Sequence, residues 1–337
     1  MDILTQGLVG AAMAQTIANR QETRRAALVG LVAGLAADAD ILIDSSQDPL
    51  LTLEYHRHFT HSIFFIPFGA VIVMLLLWPF MRQHLRPARL YLYCLMGFSL
   101  SGVIDAFTSY GTHLFWPLSN ERVAWSLISI IDPIFTGILL VSLIVALIRL
   151  QPKSAQIGML LCAGYLVIGF VQHERAAKAG RELAAQRGHV IEEQRVKPGF
   201  ANLVLWRSIY ISEGKIYVDA VRLTGQVSVY AGDSIPLLQP RDVDAIAPPG
   251  SVLNQDIKRF AYFSDNFIAF IPGRDNAIAD IRYSMLPTSL EPLWGIEFDR
   301  TQPDKHAQFV TYRRTTPEIR SAFMNMLTGK TQAQEQP

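Results

Sequence analysis

Three histidines and an arginine are concentrated in residues 54–62 (EYHRHFTHS), directly before a long apolar run. Imidazole is the commonest metal ligand in proteins and the usual general base near neutral pH. Ionisable groups at the edge of a membrane segment are costly to bury, so this cluster indicates a functional site. The alternative is a solvated membrane flank, in which Arg57 snorkels to the interface and the histidines face water.

The spacing of the histidines indicates which of them converge. His56 and His61 are five residues apart, whereas side chains on one helical face are three or four apart. We therefore expect one of them in a loop and the other in the first turn of the next helix, with Thr60 or Ser62 as its N-cap. His58 and His61 do have helical spacing, so this second pair stays open.

Carboxylates end or begin several of the neighbouring apolar segments. Asp38 and Asp40 would point about 200° apart on a continuous helix, so both can face one ion only if the helix ends or unwinds there. Asp105 ends a later apolar segment. Asp132, which precedes Pro133, fits either a helix N-cap or a metal ligand, and the cap is the commoner arrangement.

The composition of the 337-residue chain excludes several classes of protein. The net charge is +1 and no basic stripe is interleaved with aromatic residues, so we predict no nucleic-acid binding. Cys94 and Cys162 both lie inside apolar runs, which excludes a disulfide framework and a cysteine zinc site. Any metal must therefore be held by His, Asp, Glu or Gln. The acidic start, MDI, predicts no cleavable signal peptide.

Apolar runs in the first half predict five or six transmembrane helices, since a span needs about 20 residues. The candidate segments are 3–19, 26–43, 62–81, 90–108, 128–149 and 156–173. The first is either a short span or a re-entrant helix. Gly30 and Gly34 have the spacing that lets two helices approach closely. The predicted fold is a membrane all-α bundle followed by a smaller soluble α+β domain rich in antiparallel strands.

The second half alternates charged, aromatic and β-branched residues, which is typical of strands. We predict strands at 202–212, 215–223, 259–271, 277–284 and 293–299, and a closing helix at 316–328. Glu213 and Gly214 would join the first two strands as a hairpin. The predicted domains are a membrane domain (1–175), a linker helix (176–190), an extracytoplasmic α+β domain (191–330) and a disordered tail (331–337).

Basic residues in the short loops predict the orientation of the membrane domain. One set of loops carries most of them, namely Arg20, Arg24, Arg25, Arg82, Arg86, Arg89, Arg149 and Lys153. This set should be cytoplasmic. The loops 44–61 and 109–127, and the domain after residue 173, would then lie on the outer face.

With this orientation, the polar residues at the helix ends all fall on the outer side. They are Gln6, Asp38, Asp40, His56, His61, Asp105 and Asp132. A single site built from several helix ends requires all of its polar residues on the same side of the membrane. Polar residues that only cap separate helices would be expected on both sides. A cation held between the carboxylates and the histidines would offset the cost of burying the acids.

These motifs, in this order, resemble the YdjM-type family of inner-membrane metal-dependent hydrolases through about residue 140. The matching residues are Gln6 with Gly10, the pair Asp38 and Asp40, the segment His56 to Ser62, Asp105 with the run Thr108 to Thr112, and Ile131-Asp132-Pro133, with a looser match at Asn202, Trp206 and Arg207. The resemblance implies a bacterial inner-membrane protein with a divalent metal held by Asp38, Asp40, His56, His61 and Asp105.

The chain departs from the family pattern at three positions. Gln6 and Ser101 stand where histidines are common, and His58 replaces a residue that is usually small. The loss of two nitrogen ligands leaves an oxygen-richer site, which suits Mg or Mn as well as Zn.

The leading hypothesis is a metal-dependent hydrolase of an ester or phosphoester. His56 would be a ligand or general base, Arg57 would bind a substrate anion, and Tyr110 or Thr108 would donate hydrogen bonds to developing charge. A site at the outer membrane boundary suggests a lipid-linked substrate that arrives from the bilayer. The alternative is a non-enzymatic transporter, or a scaffold whose soluble domain binds a partner; acids at helix ends instead of mid-membrane breaks favour the hydrolase.

Overall fold

The structure is a computed structural model and describes residues 1–330. The chain forms two compact units, which we call the helical unit (1–43, 55–171 and 200–202) and the sheet unit (44–54, 172–199 and from 203 onward). The disordered tail predicted for 331–337 lies outside the described residues.

The first half of the chain is helical, as predicted. Its helices are α1 (Ile3–Thr16), α2 (Thr23–Ala36), a 3₁₀ helix (Ala37–Leu42), α3 (Leu51–Tyr55), a second 3₁₀ helix (Phe59–His61), α4 (Ile66–Met81), α5 (Pro87–Ser99), α6 (Ser101–Ala106), α7 (Pro133–Arg149) and α8 (Pro152–Gln186).

The prediction of five or six spans is wrong for the described residues. Two segments, Pro87–Ala106 and Pro152–Gln186, are long and apolar enough to cross a membrane; the bent pair Leu51–His61 and Ile66–Met81 would make a third if it is one span. The helices α1 and α2 have 14 residues each. As α-helices they therefore reach only about 21 Å each, against a hydrocarbon layer of about 30 Å, and the 3₁₀ helix that continues α2 carries Asp38 and Asp40. The apolar helix α7 is also short, with 17 residues.

Close packing of α1 against α2 explains why these short segments are so apolar. A Cβ atom at Gly10 would lie 2.3 Å from the carbonyl oxygen of Gly30, and one at Gly34 would lie 2.8 Å from that of Gln6. The close approach predicted from Gly30 and Gly34 is thus confirmed. Residues on several faces of α1 are buried, so its hydrophobicity serves contacts between helices.

Two four-stranded antiparallel sheets form the core of the sheet unit. Their strand orders are β1-β2-β3-β4 and β5-β6-β7-β8. The strands are β1 (Glu193–Pro198), β2 (Leu205–Ser212), β3 (Lys215–Leu223), β4 (Val227–Pro236), β5 (Ile268–Phe270), β6 (Ala277–Asp280), β7 (Trp294–Glu297) and β8 (Gln308–Thr311). The hairpin of β2 and β3 is confirmed, and its turn residues Glu213 and Gly214 both have positive φ, as a tight hairpin turn requires.

Three further helices follow β4 in the described residues, namely α9 (Pro240–Ile246), α10 (Val252–Phe263) and α11 (Pro317–Thr328). The closing helix predicted at 316–328 is thereby confirmed. The strand predicted at 259–271 is wrong in its first half, which belongs to α10. Leu253, Ile257 and Phe260 recur at spacings of four and three, and this helical period buries all three against the strands.

Candidate metal centre

Four short elements of the helical unit carry the predicted site residues. Asp38 and Asp40 lie on the 3₁₀ helix Ala37–Leu42, which continues directly from α2. His56 follows α3, and His61 lies on the second 3₁₀ helix. Asp105 lies in the last turn of the segment Pro87–Ala106. The unwinding predicted at Asp38 therefore occurs as a tightening of the last helical turns.

Asp38, His61 and Asp105 converge. His61 Nε2 lies 3.2 Å from an oxygen of Asp38 and 3.1 Å from an oxygen of Asp105. One ligand atom from each residue lies within 4.8 Å of the others. His61 and Asp105 are fully buried, whereas the side chain of Asp38 keeps 16% of its surface exposed. The cluster is therefore accessible from the side of Asp38.

Asp40 organises the loop that carries the histidines. It accepts hydrogen bonds from the backbone N–H of Arg57 at 2.8 Å and from the Thr60 hydroxyl at 2.6 Å. Its oxygens also lie 3.0 Å from His56 Nδ1 and 3.1 Å from His61 Nδ1. Burial by itself raises the pKa of Asp40, but the hydrogen bonds from His56, His61 and Thr60 outweigh burial and hold the pKa well below its ordinary value. Asp40 is thus ionised and directs His61 Nε2 toward Asp38 and Asp105.

Arg57 is buried behind this cluster. Its guanidinium lies 3.3 Å from Asp105 and donates a hydrogen bond to the Thr108 hydroxyl at 3.1 Å. The amino group of Met1 also contacts Asp105. Arg57 adopts a positive φ of 61°, an uncommon conformation for a residue with a side chain. These contacts engage Arg57 inside the protein, whereas the sequence predicted that it binds a substrate anion.

Tyr110 and Thr108 differ in accessibility. Thr108 is fully buried and donates its hydroxyl hydrogen to the backbone carbonyl of Asp105 at 2.8 Å. Tyr110 is half-buried, and its ring lies 4.9 Å from the Arg57 guanidinium and 5.6 Å from the ring of His56. Of the two hydroxyl residues, Tyr110 is the one beside an accessible histidine.

Gln6 reaches the cluster from α1. Its Nε2 lies 3.3 Å from Asp105 Oδ2 and 3.3 Å from the carbonyl oxygen of Ser101. Among residues 1–330, no hydrogen-bond partner faces the buried Oε1 of this amide. Two of the three positions at which the chain departs from the predicted family pattern, Gln6 and Ser101, therefore lie at the site.

His58 points elsewhere, since its ring packs 4.4 Å from that of His113 and 5.6 Å from that of Trp116. Burial, with His58 and Arg122 nearby, lowers the pKa of His113 to about 4.

Asp132 accepts hydrogen bonds from the backbone N–H groups of Ile134 and Phe135 at the start of α7, so it is the N-cap.

Gly102 was not predicted as a site residue, yet it positions His61. A Cβ atom at residue 102 would lie 1.8 Å from the carbonyl oxygen of His61. Only glycine lets the second 3₁₀ helix approach α6 so closely. A glycine inside an apolar helix, three residues before an aspartate, is the signal that could have revealed this contact.

Replacing Gly102 by alanine is expected to lower the free energy of unfolding by about 1–3 kcal/mol, because the new methyl group forces the backbone of His61 away. Unfolding of the detergent-solubilised protein by SDS measures this effect. Gly137→Ala is the matched control, since a Cβ atom there meets nothing within 4 Å. Equal stability of the two variants would contradict the packing described.

A second group in the sheet unit, Asp48, Asp256 and His306, also brings its ligand atoms within 4.8 Å. There, however, the guanidinium of Arg259 lies 3.0 Å from Asp48 and 3.1 Å from Asp256. Arg259 thus bridges both acids of this group, which forms an ion-pair network.

The apolar helices and the buried Asp–His–Asp cluster define an integral membrane protein with a candidate metal centre. The family model of the YdjM inner membrane protein matches residues 1–176, just over half of the chain, and the chain belongs to this family. It is also similar to the uncharacterized protein YfhP of Bacillus subtilis (strain 168), with 33% identity over 109 residues. That match covers 32% of this chain and 33% of YfhP, so it spans about a third of either protein. No solved structure matches the chain.

Proposed function

We propose that this protein is a multi-pass, metal-dependent hydrolase that acts on an ester or phosphoester at the outer face of the inner membrane. The observation that carries the proposal is the convergence of Asp38, His61 and Asp105 on one point of the helical unit. Two acids within one largely buried cluster are costly unless cations compensate them.

The donors of the cluster fit a divalent ion. Two carboxylates and an imidazole suit Zn, Mn and Mg, whereas the buried thiols of Cys94 and Cys162 are not part of the cluster. The partnerless Oε1 of Gln6 supports the fit, because the amide lies beside Asp105 and a rotation of its end group would turn an oxygen toward the cluster. Asp38, His61 and Asp105 would hold the ion, with Gln6 as a further oxygen donor. When bound, the ion would supply a Lewis acid for the activation of water and the polarisation of the scissile bond.

His56 is the residue that we assign as general base. Its side chain is 22% exposed, and its Nδ1 lies 3.0 Å from the ionised Asp40. A proton on Nδ1 is held by this carboxylate, which leaves Nε2 to accept the proton of the attacking water. Asp40 is thus a positioning residue for both histidines.

Arg57 is a positioning residue in this proposal, because its guanidinium balances Asp105 and holds Thr108 in place. Tyr110 is the hydroxyl that we assign to the developing negative charge, since it lies beside His56 on the accessible side. The transporter or scaffold alternative uses the same cluster without hydrolysis, so only measurement of a reaction separates the two.

Elemental analysis of the purified, detergent-solubilised protein tests the metal site. We expect about one divalent ion per wild-type chain and none in the double variant Asp38→Ala/His61→Ala. The control Asp44→Ala/His84→Ala removes an aspartate and a histidine that are exposed and outside the cluster, and should keep the ion. If all three proteins stay metal-free after supplementation with Zn, Mn and Mg, the metal-dependent proposal is wrong.

Hydrolysis of aryl ester and aryl phosphoester probes by the loaded protein tests the reaction. His56→Ala should reduce the rate by about 10²–10⁴-fold while the metal content is retained, as expected for loss of a general base. A protein that binds metal but cleaves neither probe would favour the transporter or scaffold.

A reporter protein fused after residue 337 tests the proposed orientation. It should be active outside the cytoplasm, and activity inside the cytoplasm would reverse the orientation.

A further inference from the structure

The exposed residues next to the cluster are strongly apolar. In a 3₁₀ helix, residues three apart lie on the same face. Ala37 and Asp40 share the buried face of the helix Ala37–Leu42, while Asp38 shares its face with Ile41, which is 54% exposed. Leu42 is 82% exposed. The accessible carboxylate of the cluster is thus aligned with an uncovered aliphatic side chain.

The other segments that build the site also expose apolar side chains. Phe64 follows the second 3₁₀ helix and is exposed, as are Phe115 and Leu118 in the loop after α6. Backbone hydrogen bonds from Ile63 to Leu114 and from His113 to Arg57 hold this loop against the histidine segment. We call Ile41, Leu42, Phe64, Phe115 and Leu118 the apolar rim. Single exposed apolar residues are ordinary, but five on the segments that build one polar cluster indicate an apolar surrounding.

The apolar rim is followed along the chain by an exposed apolar surface on α4. Phe68, Ile72, Leu75 and Leu76 of α4 are exposed along the apolar half of the bent pair, and Phe64 precedes them by one turn. The segment Pro87–Ala106 has 20 residues and is about 30 Å long, which equals the hydrocarbon thickness. Asp105 is its penultimate residue, so the cluster lies at the boundary of the hydrocarbon layer.

We infer that the cluster opens sideways into the bilayer and takes a membrane lipid whose ester or phosphoester group reaches Asp38 while a hydrocarbon chain lies along Ile41 and Leu42. This inference rests on the proposed function for the reaction, but not for the position of the rim. The substrate would thus be an amphiphile anchored in the membrane and not a water-soluble ester.

Spin labels test the position of the apolar rim independently of any reaction. A nitroxide is attached to Leu42→Cys in the full chain, reconstituted in phosphatidylcholine/phosphatidylglycerol vesicles, and its collision rates with oxygen and with a water-soluble nickel chelate are compared. The native Cys94 and Cys162 are buried, so wild-type protein carried through the same labelling gives the background. Leu160→Cys, on the apolar surface of α8, reports the hydrocarbon, and Glu121→Cys, on a polar loop, reports water.

We expect the ratio of oxygen to nickel collisions at residue 42 to be close to that at residue 160 and several-fold above that at residue 121. A ratio at residue 42 close to that at residue 121 would place the rim in water and overturn the inference. This outcome is distinguishable from failure of the proposed function, because metal binding and probe hydrolysis are measured separately. If the rim lies in lipid but the protein binds no metal, only the assignment of the reaction fails.

Discussion

Replacing Asp105 by alanine is expected to lower the free energy of unfolding of the helical unit by about 3–5 kcal/mol, even with excess chelator present. Arg57 is 4% exposed and lies 3.3 Å from Asp105. Removal of the carboxylate takes away a fully buried counter-charge that lies against this guanidinium. SDS-induced unfolding of the detergent-solubilised protein in EDTA measures the effect without a contribution from bound metal.

Asp38→Ala is the matched control for this prediction. Asp38 and Asp105 both approach His61 Nε2, but the side chain of Asp38 keeps 16% of its surface exposed, whereas that of Asp105 is fully buried. Solvent screens the attraction of the partly exposed Asp38 to its neighbours, so its removal in EDTA should cost less stability than removal of Asp105. The double variant Arg57→Met/Asp105→Ala should recover part of the loss, since the buried guanidinium is removed together with the carboxylate. A loss for Asp105→Ala no larger than that for Asp38→Ala would contradict the assigned role of Arg57.

Replacing Arg207 by methionine is expected to lower the free energy of unfolding of the sheet unit on the order of 3–5 kcal/mol, because each buried carbonyl that loses its donor costs about 1–3 kcal/mol. The Arg207 guanidinium, fully buried on β2, donates hydrogen bonds to the carbonyl oxygens of Ile281 (2.8 Å), Pro287 (2.6 Å) and Ser289 (2.9 Å). It therefore joins the first sheet to the segment that follows β6. Hydrogen exchange of the amides of β2 and β3 measures the change in this unit alone.

Lys197 lies opposite Arg207 in the register of β1 and β2. Its amine differs from the hydrogen-bonded guanidinium of Arg207. It is 5% exposed, and among the described residues no hydrogen-bond partner faces its Nζ, which lies 3.3 Å from the centre of the Tyr283 ring. Lys197→Met should therefore stabilise the unit by about 1 kcal/mol, since an unpaired buried polar group costs about 1–3 kcal/mol and the lost ring contact offsets only part of it. The exposed Lys215→Met is the control. Destabilisation by Lys197→Met would show that the amine has an essential partner.

Lys197 also makes the stability of the sheet unit depend on pH. Burial, together with the nearby Arg282, lowers the pKa of Lys197 well below its ordinary value. Between the folded and unfolded pKa values the unfolded state binds more protons, so this residue makes stability rise with pH up to the ordinary lysine pKa of about 10.4. Lys197→Met should flatten that rise.

Periodicity and composition were sufficient for the helical first half, the β2–β3 hairpin and the closing helix, because each depends on residues close in sequence. They failed for the count of spans. An apolar segment that packs against other helices and one that faces lipid have the same composition, and only the contact between Gly10 and Gly30 separates these cases for α1 and α2. They failed also at residues 259–263, where Phe260 and Phe263, of a type common in strands, belong to the buried face of α10.

The residue types and order in this chain by themselves determined that it is a member of the YdjM inner membrane protein family and which acids and histidines could meet. Only the tertiary structure decided how they divide: Asp38, His61 and Asp105 converge, Asp40 and His56 pair beside them, Asp132 caps α7, and Arg57 is held by Asp105. The physical reason is that the residues that meet are far apart in the sequence, so local patterns do not show their contacts. The partners of His61 lie 23 and 44 residues away, and their approach depends on a glycine whose missing side chain carries no chemistry of its own.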